Sequence, residues 1–155
     1  MRYLLATVLV LCTGCDSPSE LDDRWAVPEE IEFATSLEID LDAMNRTDSG
    51  LYWEDIVVGD ELDPAVVLED EVRLHYTIWL PDGSEVETTY GGPPLQRDVL
   101  LLLPGVAEGI TGMRPGGKRR LVIRPELAWP NGFGEIPPIT TIVFEIEVIA
   151  IVPQD

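Results

Sequence analysis

Val72-Arg73-Leu74-His75-Tyr76-Thr77-Ile78-Trp79-Leu80-Pro81-Asp82-Gly83 carries most of the information about the fold. Val72, Leu74, Tyr76 and Ile78 alternate with Glu71, Arg73, His75 and Thr77, the period of a strand with one buried face. Pro81-Asp82-Gly83 then supplies a turn, because Asp-Gly tolerates positive φ. A second strand is expected from Ser84 to about Thr89. Further along, Leu121 and Ile123 alternate with Val122 and Arg124 after the turn Pro115-Gly116-Gly117. Near the end Ile142, Phe144, Ile146 and Val148 share one face, and Glu145 and Glu147 the other.

One segment reads as helical. Pro104 suits the first helical position, where its missing N–H costs nothing. Val106, Ile110 and Met113 follow at helical spacing, so one face is apolar. Gly109 and Gly112 lower its propensity, so it must be short and held by packing. The expected class is α+β, an antiparallel β-sheet wrapped around one short α-helix.

With 155 residues, 45% of them hydrophobic, the chain supports one domain with a real core. Lys and Arg total 10 against 29 Asp and Glu, a formal charge of -19. That balance repels phosphate backbones and excludes a nucleic-acid partner. His75 is the single histidine, and both cysteines, Cys12 and Cys15, fall at the start. Neither a disulfide framework nor a zinc site is expected.

The first residues read as an address. Met1-Arg2, an apolar run from Tyr3 to Leu11, and Cys12-Thr13-Gly14-Cys15 describe a secretory signal too short to span a bilayer. The ending is similar to a bacterial lipoprotein processing site, with residues 1–14 removed and Cys15 acylated. The alternative is an ordinary cleaved signal with Cys15 a bystander. From Asp16 to Arg46 ten acids face two bases, so residues 15–46 are expected to form an extended acidic linker. Scattered apolar residues from Ile31 to Leu41 suggest that part of it packs on the domain, residues 47–155.

Several segments, in order, are similar to the FKBP-type peptidyl-prolyl isomerase pattern. They are Ser49-Gly50-Leu51-Tyr52 with Val58-Gly59-Asp60, then Leu74-His75-Tyr76-Thr77 with Trp79-Leu80-Pro81-Asp82-Gly83. Leu103 to Met113, Gly116 to Leu121, Pro125-Glu126-Leu127-Ala128-Trp129, and Ile136-Pro137-Pro138 leading into Thr141 to Glu147 follow. The resemblance covers residues 47 to 152. It implies rotation about X-Pro bonds in an apolar pocket, proline-containing polypeptides as clients, macrolides as ligands, and no metal or cofactor. With the signal, it implies folding assistance at the extracytoplasmic side of a cell envelope, with the membrane as partner through Cys15.

Carried over position by position, the resemblance implies catalytic roles for Tyr76, Glu87, Trp129 and Phe144. It implies substrate-binding roles for Val86, Leu102, Leu103, Val106 and Ile136. The chain also departs from the pattern. Val86-Glu87 stands where the family has Phe-Asp, Val106 where it has a pocket-floor Trp, and Trp129 where it has Tyr. Pro130 and Ile78 replace glycines, and Pro93 stands near a frequent Phe. Smaller walls imply a wider pocket with low but measurable activity.

Without the resemblance, Tyr76, Phe144 and Val106 read as core, and Glu87 as a solvated strand residue. Trp129, before Pro130-Asn131-Gly132, lies in a loop, where an aromatic points to recognition. Lys118-Arg119-Arg120 reads as a solvated face. Two alternatives stay open: a non-catalytic proline-peptide binding module or chaperone, and a structural lipoprotein with a vestigial pocket.

Overall fold

The computed structural model describes residues 26–153. Its strands are β1 (Asn45–Arg46), β2 (Tyr52–Val57), β3 (Glu71–Trp79), β4 (Glu85–Thr88), β5 (Leu95–Asp98), β6 (Lys118–Ile123) and β7 (Ile142–Val152). They form one sheet in the order β1-β2-β6-β7-β3-β4, with β5 also on β3. Every pairing is antiparallel. The edge of β3 is shared, since Leu74 and Glu71 pair with β5 and Thr77 to Trp79 with β4.

Register explains the two faces. Trp53, Leu121, Phe144 and Ile78 are cross-strand neighbours on the inner side, within or against the main core. The next row, Tyr52, Val122, Val143 and Trp79, belongs to a second cluster on the outer side. Adjacent residues on a strand point to opposite faces, so one sheet needs two covers.

Helix α1 (Pro104–Ile110) covers the inner face, burying Val106, Ala107 and Ile110. It sits close because of Gly105 and Gly109, one turn apart. A Cβ on Gly105 would meet Ile123 Cγ2 at 2.5 Å, and one on Gly109 would meet Leu121 Cδ1 at 2.5 Å. Seven residues with two glycines would not form a stable helix in water. Met113, expected on this helix, lies beyond its end but is still buried.

The outer face is covered by residues assigned above to the linker. Short 3-10 turns at Pro28–Glu30 and Thr35–Leu37 lead the chain across the sheet, burying Leu37 and Met44 against Tyr52, Val122 and Val143. Ala34 N–H donates to Pro81 O at 2.8 Å, and Tyr52 hydroxyl donates to Glu29 at 2.6 Å. The packing expected between Ile31 and Leu41 is thus present and reaches from Pro28 to Met44, so the extended spacer does not run on to Arg46. A few well-placed apolar side chains outweigh the repulsion among the acids. The signal, Cys15 and the rest of the linker up to residue 25 lie outside the described residues.

The solvated basic run is also corrected. Lys118 pairs with Glu145 at 2.5 Å, and Arg120 with Glu54 at 2.9 Å. Arg119 is only 8% exposed. It donates to Asp55 at 2.7 Å and to the Gly109 carbonyl at 2.8 Å, and lies 4.1 Å over the Trp53 ring. This satisfies a carbonyl at the end of α1 that has no helical partner and favours the negative pole of the helix dipole.

Candidate active site

The hollow forms where α1 stops covering the sheet. β3 and β7 pass side by side there, and their inward residues Leu74, Tyr76, Ile78, Phe144 and Ile146 make one wall. Leu101, Leu102, Leu103 and Val106 close the helix side, Glu87, Leu95 and Arg97 come from the edge strands, and Trp129 and Phe133 from the loop before β7. The cavity is about 360 Å³, within the range of small-ligand sites.

Tyr76 is half-buried, its ring 5.8 Å from that of Phe144 and tilted by 44°. Its hydroxyl donates to Glu87 Oε1 at 2.6 Å. Burial first, then the hydrogen bond to Glu87 and its negative charge, push the phenol up to about 12. Tyr76 thus stays protonated at neutral pH, and Glu87 is held as an acceptor on the wall. The Trp129 ring stacks on Phe133 at 5.1 Å and 14°. Val106, 4% exposed, supplies an aliphatic floor.

Seven of the nine residues singled out from the sequence thus border one cavity: Tyr76, Glu87, Leu102, Leu103, Val106, Trp129 and Phe144. Two do not. Ile136 is 3% exposed within the main core, and Val86 is a half-buried residue packed against it. The β3–β4 register shifts between Ile78 and Trp79, and it is Glu87, opposite Ile78, that borders the hollow. Ile136 pairs instead with Phe133 across a small hairpin, each N–H donating to the other's carbonyl.

Phe133, Leu101, Leu95 and Arg97 were not singled out. Phe133 is 60% exposed at the tip of its hairpin. An aromatic between Gly132 and Gly134, four residues past Trp129, was the available signal. Leu95 and Arg97 lie on β5, whose four residues carry too short a pattern to stand out. No cluster of metal-binding side chains occurs among the described residues.

A cavity with greasy walls, one neutral phenol, one carboxylate acceptor, one indole and the Arg97 guanidinium at its β5 side suits holding a peptide segment, not activating a nucleophile. The chain belongs to the FKBP-type peptidyl-prolyl cis-trans isomerase family, whose profile matches residues 63–149. It is 39% identical over 113 residues to the FKBP-type 22 kDa peptidyl-prolyl cis-trans isomerase of Escherichia coli, covering 71% of this chain and 54% of that protein. It is 40% identical over 86 residues to FkpA of Escherichia coli, covering 54% of this chain and 32% of that protein. The chain therefore spans about half or less of the length of these relatives. The crystal structure of FkpA superposes with a TM-score of 0.69 at 31% identity, over 78% of this chain and 56% of that one.

Proposed function

We propose that the cavity catalyses rotation about X-Pro bonds in extracytoplasmic polypeptides. Amide resonance sets a barrier of about 18–20 kcal/mol to that rotation. The twisted amide has lost resonance and is less charge-separated than the planar form, so a water-poor apolar hollow favours it. The observation that carries this reading is the convergence of Tyr76, Phe144, Val106 and Trp129 on one cavity of about 360 Å³. Tyr76 serves as a neutral wall, since its phenol keeps its proton, and Trp129 adds an N–H donor for the client chain. A proline-limited refolding assay tests it: the full chain accelerates the slow phase, and Tyr76→Ala lowers kcat/KM at least about tenfold, the effect of about 1.4 kcal/mol of lost transition-state stabilisation. No acceleration at high protein concentration refutes the reading.

A second reading, binding without catalysis, is favoured by the Val106 floor, which leaves the site less enclosed. Peptide or macrolide binding without rate enhancement would decide for it, and Val106→Trp should then raise activity. Val86→Phe should not, because Val86 does not border the cavity.

The N-terminal sequence supports attachment at the cell envelope through acylated Cys15. With residues 28–46 docked, the stretch from Cys15 to Ala26 reaches at most about 40 Å, which would keep the cavity near the bilayer. Palmitate labelling lost in Cys15→Ser would support the anchor, and equal labelling would exclude it.

A further inference from the structure

Charge at the cavity mouth is uneven. β5 turns alternate residues inward: Leu95 pairs with Leu74 and Arg97 with Val72, both partners fully buried, while Gln96 bonds to Glu71. Arg97 is exposed, borders the cavity, and makes no ion pair among the described residues. Most other cations are engaged. Arg46, Lys118, Arg119, Arg120 and Arg124 each pair with a carboxylate, and Arg114 donates to the Asp63 carbonyl. Arg73, also unpaired among the described residues, alternates to the outer side of β3. In a chain of 29 acids and 10 bases, a free guanidinium at an apolar hollow is conspicuous.

The other charged residue of the cavity does not cancel it. Glu87 lies opposite Ile78 and Arg97 opposite Val72, at the two ends of β3. No ion pair joins the two among the described residues. Glu87 is also committed to the Tyr76 hydroxyl.

Resting on the isomerase reading above, we infer that Arg97 is a specificity residue, selecting proline segments with an acidic residue on the side that lies toward β5. The guanidinium adds attraction for a carboxylate at that end, and a basic residue there would meet repulsion. The pair would stay solvated, so the preference is modest and weakens with salt.

The test uses the full chain and two sets of otherwise identical proline peptides, with Glu, Gln or Lys immediately before or immediately after proline. In one set kcat/KM for Glu exceeds that for Lys by about three- to fivefold at low salt. The ratio falls to near one in Arg97→Gln and inverts in Arg97→Glu. A ratio that Arg97→Glu leaves unchanged in both sets overturns the inference while isomerisation stands. If no peptide is turned over, the isomerase reading fails, and calorimetric Kd values for the same peptides still decide the charge preference. If none binds, both fail.

Discussion

The two faces of the sheet are made by alternate residues of the same strands, yet they are covered in different ways. The inner face receives a regular helix, closely apposed through Gly105 and Gly109, and fastened by a buried cation, Arg119. The outer face receives an irregular acidic segment held by two apolar plugs, Leu37 and Met44, and a few hydrogen bonds. A helix of seven residues cannot cover the whole inner face. The cavity is what it leaves open, whereas the irregular chain drapes across the four-strand apolar row beneath it. The site thus arises where regular packing runs out of length.

The largest effect should come from breaking the inner attachment. Arg119→Ala leaves the buried Gly109 carbonyl without its donor, uncovers the Trp53 ring and ends the pair with the exposed Asp55, an expected cost of about 3 kcal/mol that comes mainly from the first two. Urea unfolding checks this, and a loss under 1 kcal/mol would show that the clamp matters little. On the outer face, Leu37→Ala should cost about 2 kcal/mol while leaving kcat/KM of the folded protein unchanged. A matching fall in activity would mean that the two covers are coupled.

A smaller gain is expected in the loop beside the cavity. Ile139 holds φ at 55°, a left-handed conformation that a β-branched residue adopts only under strain. Ile139→Asn should raise stability by about 1 kcal/mol, read from the shift of the urea midpoint. The smallest effect concerns protonation. Glu29 lies below its ordinary value of 4.5, first because Tyr52 donates to it, with Arg46 also contributing. A carboxyl depressed in the folded state adds stability above its unfolded pKa and loses it as pH falls through the folded one. Tyr52→Phe should move the Glu29 titration upward in NMR and flatten the acid loss of stability below pH 4.5. An unmoved titration would break the link between segment and sheet.

The period-two pattern of residues 72–79 and 142–148 made the central strands legible, because each has one face in the core. Pro104 and the spacing of Val106 and Ile110 did the same for α1. Strand β5 was not legible, since Leu95-Gln96-Arg97-Asp98 offers one apolar residue and its strand character comes from pairing with β3. The docked segment was only half legible: its acids signalled a spacer, and what Leu37 and Met44 cover lies far along the chain. In the site, Tyr76, Phe144 and Val106 followed from alternation and resemblance. Phe133 did not, because a loop aromatic has no period to betray where it points. Arg119 read as surface because charge predicts exposure, unless a helix end and a carboxylate happen to meet it.

The position of β7 has a consequence for how the molecule is made. It lies between β6 and β3, and it alone joins the unit β1-β2-β6 to the unit formed by β3, β4 and β5. Yet it is the last of these strands to leave the ribosome. Until it arrives, nothing pairs β6 with β3, and neither Phe144 nor Ile146 is present to wall the hollow. The domain cannot ripen piecemeal during synthesis; its assembly waits on a long-range closure made at the end.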